Sequence, residues 1–241
     1  MRKRPTPRQR TGYHWGLWLG LAASAVLLAP VIEVAIVRFV DPPLTPLMLI
    51  RQVEARWQGR TSTKRQYVWL PLAQIPRDFL KFVFVAEDQR FFRHHGFDWR
   101  EIELARQRAR QTGQDPRGAS TITMQCARSL FLWQGRSWVR KGLEAYYTFW
   151  MEALLSKARI LELYANLIEM GDGIYGIEAA ARAHYGLGAR ALSREQCVTL
   201  AAFLPDPRAW NPARPTPQLA ARCAKILRQE KQVAFPLSSI R

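Results

Sequence analysis

The chain has 241 residues, enough for one ordinary domain with appendages and too few for a large multidomain machine. Apolar residues make up 48% of it, so a real core can form and intrinsic disorder is excluded for the chain as a whole. Lys and Arg number 36 against 19 Asp and Glu, a formal charge of +17 that calls for anionic partners without choosing among nucleic acid, phospholipid headgroups and phosphorylated substrates.

Residues 1–10, MRKRPTPRQR, carry five positive charges and no acid, and an uncharged apolar stretch follows from Trp15 to Ile32 and resumes from Val34 to Val37. At about 1.5 Å per residue this is long enough to cross a bilayer. A cleavable signal peptide would have a shorter apolar region ending in a small-x-small site, whereas this run continues through Pro30 and past Glu33, which favours a retained anchor. The basic arm then stays cytoplasmic, and everything after about Arg38 lies across the membrane, away from DNA and RNA. Glu33, near the outer end of the span, is expected to reach the interface. Cys126, Cys197 and Cys223 are too few and too scattered for a disulfide framework, and the four histidines form no zinc pattern.

Asp41-Pro42-Pro43-Leu44-Thr45-Pro46 is a stiff extended segment, and residues 47–75 are mixed in pattern. Helical periodicity begins at Pro76, a residue suited to a first turn, with Phe79, Leu80, Val83 and Ala86 at helix spacing. Further helices are predicted over Thr121–Leu132, Val139–Leu155, Lys157–Met170, Ile174–Tyr185 and Arg194–Leu204. The last has Ser193 and Gln196 as a capping box and Pro205 as its stop. No alternating strand run is evident, and Gln111–Pro116 has the composition of a mobile polar loop. The expected fold class is mainly α.

Four clusters could carry chemistry. In Glu87-Asp88-Gln89-Arg90-Phe91-Phe92-Arg93-His94-His95-Gly96, two acids sit where an apolar helix ends and basic and aromatic residues begin; they suit a general base and its neighbour, or a capped and salt-bridged pair. Gly118-Ala119-Ser120-Thr121-Ile122-Thr123-Met124-Gln125 opens a helix with small and hydroxyl residues, fit to receive a phosphate or simply to cap the helix. In Arg136-Ser137-Trp138-Val139-Arg140-Lys141-Gly142-Leu143-Glu144, two cations share a helix face with Glu144, the usual spacing of a solvated ion-pair surface. Along Lys157–Asn166, Ile160 and Tyr164 belong to a core stripe, while Glu162, Asn166 and Glu169 form a polar stripe of open meaning.

The order and spacing of these clusters resemble the glycosyltransferase family that polymerises peptidoglycan from lipid II. Its motifs E-D-x-x-F-x-x-H-x-G, G-G-S-T-I-T-Q-Q, R-K-x-x-E, K-x-x-I-L-E-x-Y-L-N and L-A-x-x-L-P-x-P match, in order, Glu87–Gly96, Gly118–Gln125, Arg140–Glu144, Lys157–Asn166 and Leu200–Pro207. The resemblance covers about residues 40–215. It implies a lysozyme-like helical glycosyltransferase domain with a smaller jaw lobe near the membrane, joining a growing glycan on undecaprenyl pyrophosphate to the 4-hydroxyl of an incoming lipid II. By motif position, Glu87 resembles the general base, and Glu144 the second carboxylate, which assists departure of the pyrophosphate. Arg128, Arg140 and Lys141 would face the phosphates, and Ser120, Thr121 and Gln125 would bond the donor. Asp88, Phe91, His94, Glu162 and Asn166 are carried over as substrate-binding positions. An inverting displacement needs a base on the acceptor side and charge neutralisation on the leaving-group side, which this set offers.

Ala119, Met124, Arg128 and Ala165 stand where the family pattern has Gly, Gln, Lys and Leu. Arg128 keeps the charge, and Met124 removes a polar amide. No S-x-x-K nucleophile motif is present, so the chain resembles the monofunctional transglycosylases rather than the bifunctional penicillin-binding proteins. The expected organisation is a cytoplasmic arm at 1–14, an anchor at 15–37, a linker and membrane-proximal segment at 38–75, and the glycosyltransferase domain at 76–241, in the inner membrane with the domain extracytoplasmic. Expected partners are lipid II, the glycan strand, the membrane and other cell wall synthases. A divalent cation, Mg or Mn, would suit the donor pyrophosphate, although the sequence shows no dedicated ligand cluster for it and marks no other cofactor. Two other readings compete. A lytic murein hydrolase leaves the basic residues idle, and a scaffold that binds lipid II without turnover leaves both carboxylates idle.

Overall fold

The computed structural model describes residues 12–59, 65–113, 119–135 and 137–236. Most of the basic arm, residues 114–118 with Gly118 and part of the expected polar loop, and Arg136 lie outside the described residues. Among those described, the chain is mainly helical: α1 (Gly12–Val37), α2 (Pro46–Trp57), α3 (Arg77–Glu87), α4 (Trp99–Thr112), α5 (Ile122–Phe131), α6 (Trp138–Leu154), α7 (Lys157–Leu167), α8 (Gly176–Tyr185), α9 (Arg194–Ala202) and α10 (Pro217–Glu230). Two short strands, β1 (Gln66–Tyr67) and β2 (Ile174–Tyr175), pair in parallel, Gln66 opposite Ile174 and Tyr67 opposite Tyr175.

Helix starts follow from side chains that accept from otherwise free N–H groups. Thr45, Asp98, Thr121, Ser137, Ser156 and Thr216 each cap the helix that follows, and Ser193 with Gln196 makes the expected capping box. Pro76 sits just before α3 rather than inside its first turn. The expected helices over 157–170 and 174–185 are shorter than their apolar pattern, because the residues between them turn. Gly171, Gly173 and Gly176 have φ of 145°, 75° and 78°, and Ile174 and Tyr175 are drawn off to pair with β1. Gln111 and Thr112 end α4, closed by Gly113 in the left-handed region.

At the centre lies α3, whose Phe79, Leu80, Phe82, Val83, Phe84 and Val85 are all buried. A helix apolar on so many sides must be covered all round. It packs on α9 and α10, and α5 is held by α6 and α7. Within 38–75, α2 places Leu47 and Met48 in the same core cluster as α3. The Leu70 N–H and carbonyl are bonded by Asn166 Oδ1 and Nδ2 at 2.7 and 2.9 Å. This segment is therefore packed against the domain and is more than a tether.

The end of α1 docks on α6 and α7. Val34 and Val37 are buried, the Tyr146 hydroxyl donates to the Leu27 carbonyl at 2.8 Å, and Arg159 donates to the carbonyls of Val37 and Val40 at 3.0 and 3.1 Å. Glu33, expected to reach the interface, accepts the Tyr147 hydroxyl. The physical reason is that α6 lies beside α1 at that level and offers a donor.

Candidate active site

Glu87 is the last residue of α3, where the helix surfaces into a cleft of about 510 Å³. Its two oxygens are held separately. Oε2 accepts from Gln125 Nε2 of α5 at 2.9 Å, and Oε1 accepts from Arg222 of α10 at 2.9 Å. Behind Gln125, the Tyr164 hydroxyl of α7 donates to Gln125 Oε1 at 3.1 Å. Burial, reinforced by the Glu87 charge, holds the Tyr164 phenol well above its usual range, so it remains a donor. Four helices thus fix one carboxylate whose side chain keeps 13% exposure, and its remaining lone pairs can accept a substrate hydroxyl.

The rest of this first motif builds the support below Glu87. Asp88 is buried and accepts from His94 Nε2 at 2.9 Å and from the Ile122 N–H at 3.1 Å, which joins the end of α3 to the start of α5. Phe91 is fully buried, with the Lys157 ammonium 4.3 Å from its ring centre. Lys157 also donates to the His94 carbonyl and to Glu152, each at 2.8 Å. Burial draws its ammonium below the usual lysine range, against the opposing pull of Glu152. Thr121 donates to the Gly96 carbonyl at 2.7 Å while capping α5. Of the residues carried over as substrate-binding, Asp88, Ser120 and Thr121 line the cleft beside Glu87. Phe91 and His94 are framework beneath it.

A second cluster stands on α6. Glu144 is fully buried, with Arg140 donating to its Oε2 at 2.5 Å and Lys141 to its Oε1. Arg140 Nε is anchored on the Gly135 carbonyl at 2.7 Å. Each oxygen of Glu144 thus has one cationic donor, and the carboxylate itself has no exposed surface. On α5, Arg128 lies one turn beyond Gln125, and its buried Nε has no hydrogen-bond partner among the described residues, a donor open to an anion.

Two carried-over positions lie elsewhere. Glu162 accepts from the Leu72 N–H at 2.8 Å and from Arg159 at 2.7 Å, while Asn166 is spent on Leu70. Neither lines the cleft, nor do Arg128, Arg140, Lys141 and Glu144 of the second cluster. The polar stripe of Glu162 and Asn166 holds residues 70–72 against α7.

Ligand atoms of Asp88, His94 and Asp98 come within 4.8 Å of one another, a grouping the sequence did not reveal. The donor set does not fit a metal ion. Asp88 is engaged by His94 and Ile122, Asp98 Oδ1 accepts from the Arg100 and Glu101 N–H groups, and the Arg90 guanidinium lies 3.5 Å away. These are donors and positive charges where a cation would have to sit.

Sequence reasoning missed the outer wall of the cleft. From α4 come Arg100, Leu104 and Arg108, and from α10 Lys225 and Gln229, with Arg222 reaching Glu87. The signal for α10 is present: Thr216 before Pro217 is a helix start, and Leu219, Cys223 and Ile226 follow at helical spacing. For α4 the signal is weak, since Ala105 is its one buried residue.

A sequence model of the transglycosylase family matches residues 54–231. The chain is 46% identical over 219 residues to the biosynthetic peptidoglycan transglycosylase of Xylella fastidiosa strain M23, covering 91% of this chain and 90% of the relative. It is 44% identical over 233 residues to that of Xanthomonas campestris pv. campestris strain B100, covering 97% and 93%, and 42% identical over 228 residues to that of Xanthomonas euvesicatoria pv. vesicatoria strain 85-10, covering 95% and 92%.

Proposed function

Because the chain belongs to the transglycosylase family, we propose that Glu87 is the general base of its glycan-forming reaction. The protein is a peptidoglycan glycosyltransferase that polymerises glycan from lipid II in cell wall synthesis. In the proposed step, Glu87 takes the proton of the acceptor 4-hydroxyl as its oxygen bonds to the donor C1. The C1–O bond to the lipid pyrophosphate breaks, and its electron pair leaves with the pyrophosphate. The carrying observation is that Glu87 alone of the two carried-over carboxylates opens on the cleft, held by Arg222 and Gln125 with lone pairs to spare.

Arg128, Arg140 and Lys141 neutralise the departing pyrophosphate, and Glu144 aims the latter two cations. This differs from a direct role of Glu144 on substrate, since its carboxylate, unlike that of Glu87, has no exposed surface. A hydrolase reading leaves this cation cluster without a task.

The protein is anchored by α1 with its catalytic domain on the outer face of the inner membrane. The outer stripe of α6 faces lipid beside α1. Trp138, Gly142, Tyr146 and Phe149 fall at i, i+4, i+8 and i+11 along α6. Trp138 and Phe149 are 92% and 56% exposed, and Tyr146 bonds α1 itself. Other cell wall synthases are natural partners at the same surface.

Glu87→Gln keeps the shape of the site and removes the base, so lipid II polymerisation should fall by about 10²–10⁴. A rate within a few-fold of the unchanged protein would overturn the assignment.

A further inference from the structure

We propose that Arg222 of α10 is a positioning residue for the reaction, holding Glu87 in its working orientation; the inference rests on the reading of Glu87 as the base. Arg222 lies beyond the five motifs, which end at Pro207. Its guanidinium joins two places: Nη2 donates to Glu87 Oε1 at 2.9 Å, and Nε donates to the Ala202 carbonyl at the end of α9, at 2.8 Å.

The contact is built by packing. Leu219 and Ile226, three residues before and four after Arg222, are 0% and 2% exposed, so the same face of α10 that enters the core delivers the guanidinium. The far end of the helix is pinned where Glu230 meets Lys81 of α3 and Arg194 of α9, the latter at 3.0 Å. Glu87 needs this support for a physical reason. It ends α3, where the helix dipole presents its negative end and disfavours a carboxylate. A cation on Oε1 offsets that repulsion. Together with Gln125 on Oε2 it also fixes both torsional ends of the carboxyl group, which general base catalysis requires to sub-ångström tolerance. The competing account is that Arg222 merely ties α10 to α9 through Ala202.

The test measures kcat, KM and melting temperature for lipid II polymerisation by the full-length protein. The variants are Arg222→Met, Arg222→Lys, Glu87→Gln and the double variant Glu87→Gln/Arg222→Met. Positioning through Glu87 predicts that Arg222→Met lowers kcat about tenfold to a hundredfold with KM changed less than about threefold, that Arg222→Lys restores most of the rate, and that Arg222→Met has little further effect once Glu87 is Gln. If Arg222→Met fails to fold, Arg222→Gln, which keeps a donor for Ala202 and loses the charge, takes its place in every comparison. Undiminished kcat in the charge-removing variant, or losses that multiply in the double variant, would overturn the role of Arg222. A Glu87→Gln protein as active as the unchanged one would overturn the base itself, a distinct outcome.

Discussion

Glu144 has no exposed surface, and its two partners differ in their freedom to respond to its loss. The Arg140 side chain is 9% exposed and the Lys141 side chain 37%. In Glu144→Gln, Lys141 can turn to solvent, but Arg140 is left as an uncompensated buried charge. Breaking such a pair from one side costs about 3–5 kcal/mol, and the lower end is expected here, read as a fall in the thermal midpoint by circular dichroism. The cations can be tested against general basicity in the same way. Lys141→Ala should depress lipid II turnover far more than Lys231→Ala, although each removes one positive charge. A fixed cation in a partly desolvated site acts through a low effective dielectric, and a surface lysine is screened within about 8 Å at physiological salt. Matched losses across a salt series would remove the phosphate role of Lys141. At this scale the sequence showed which residue types share a helix face. It could not show that Glu144 faces inward and Glu162 toward a backbone N–H, because each follows a cation by three residues, Lys141 and Arg159.

Among the elements, the turn between α7 and α8 depends on Gly176. Its φ is +78°, and a Cβ there would lie 2.3 Å from the Asn166 carbonyl oxygen and 2.8 Å from the Asn166 carbonyl carbon. Gly113 at the end of α4 has a similar φ of +66° with nothing within 4 Å. Gly113→Ala should therefore cost about 1 kcal/mol from conformation alone, and Gly176→Ala about 3 kcal/mol or more, because backbone cannot yield as a side chain does. Denaturant midpoints of the two variants measure the difference; equal values would mean that the α7–α8 turn relaxes freely. Helix positions were legible where one face is apolar and a cap precedes it, as in α5, α6 and α9. Polar α4 left no apolar stripe to find. The shortened α7 and α8 reflect pairing between β1 and β2, a contact between residues more than a hundred positions apart that no local pattern encodes.

For the whole molecule, α1 is long and apolar enough to cross a membrane, and its end also belongs to the fold. Val34 and Val37 enter the core cluster, and Asp41 and the carbonyls of Val37 and Val40 bind Arg159. The core helices beyond the anchor suggest a domain that folds without it, but the boundary matters. A chain beginning at Pro30 keeps these contacts, whereas one beginning at Pro42 uncovers two valine sites worth about 1.5 kcal/mol or more each. In the same detergent, the longer form should melt about 6–12 °C higher. Identical melting would show that α1 serves only as an anchor.

What the sequence alone determined is whatever local pattern can hold: the apolar span, most helix positions and their caps, and the motif order that marks the family. The tertiary structure decided which of those residues meet. In the same motif as Glu87, His94 is turned inward, and Asp88, though at the cleft, has its carboxylate engaged by His94 and Ile122, joining α3 to α5, while Glu87, one position earlier at the helix end, opens on the cleft. Its ion-pair partner, Arg222, is 135 residues away along the chain. A helix end fixes where a side chain leaves the core, but the packing of α10 on α3 and α9 determines which charge it meets there.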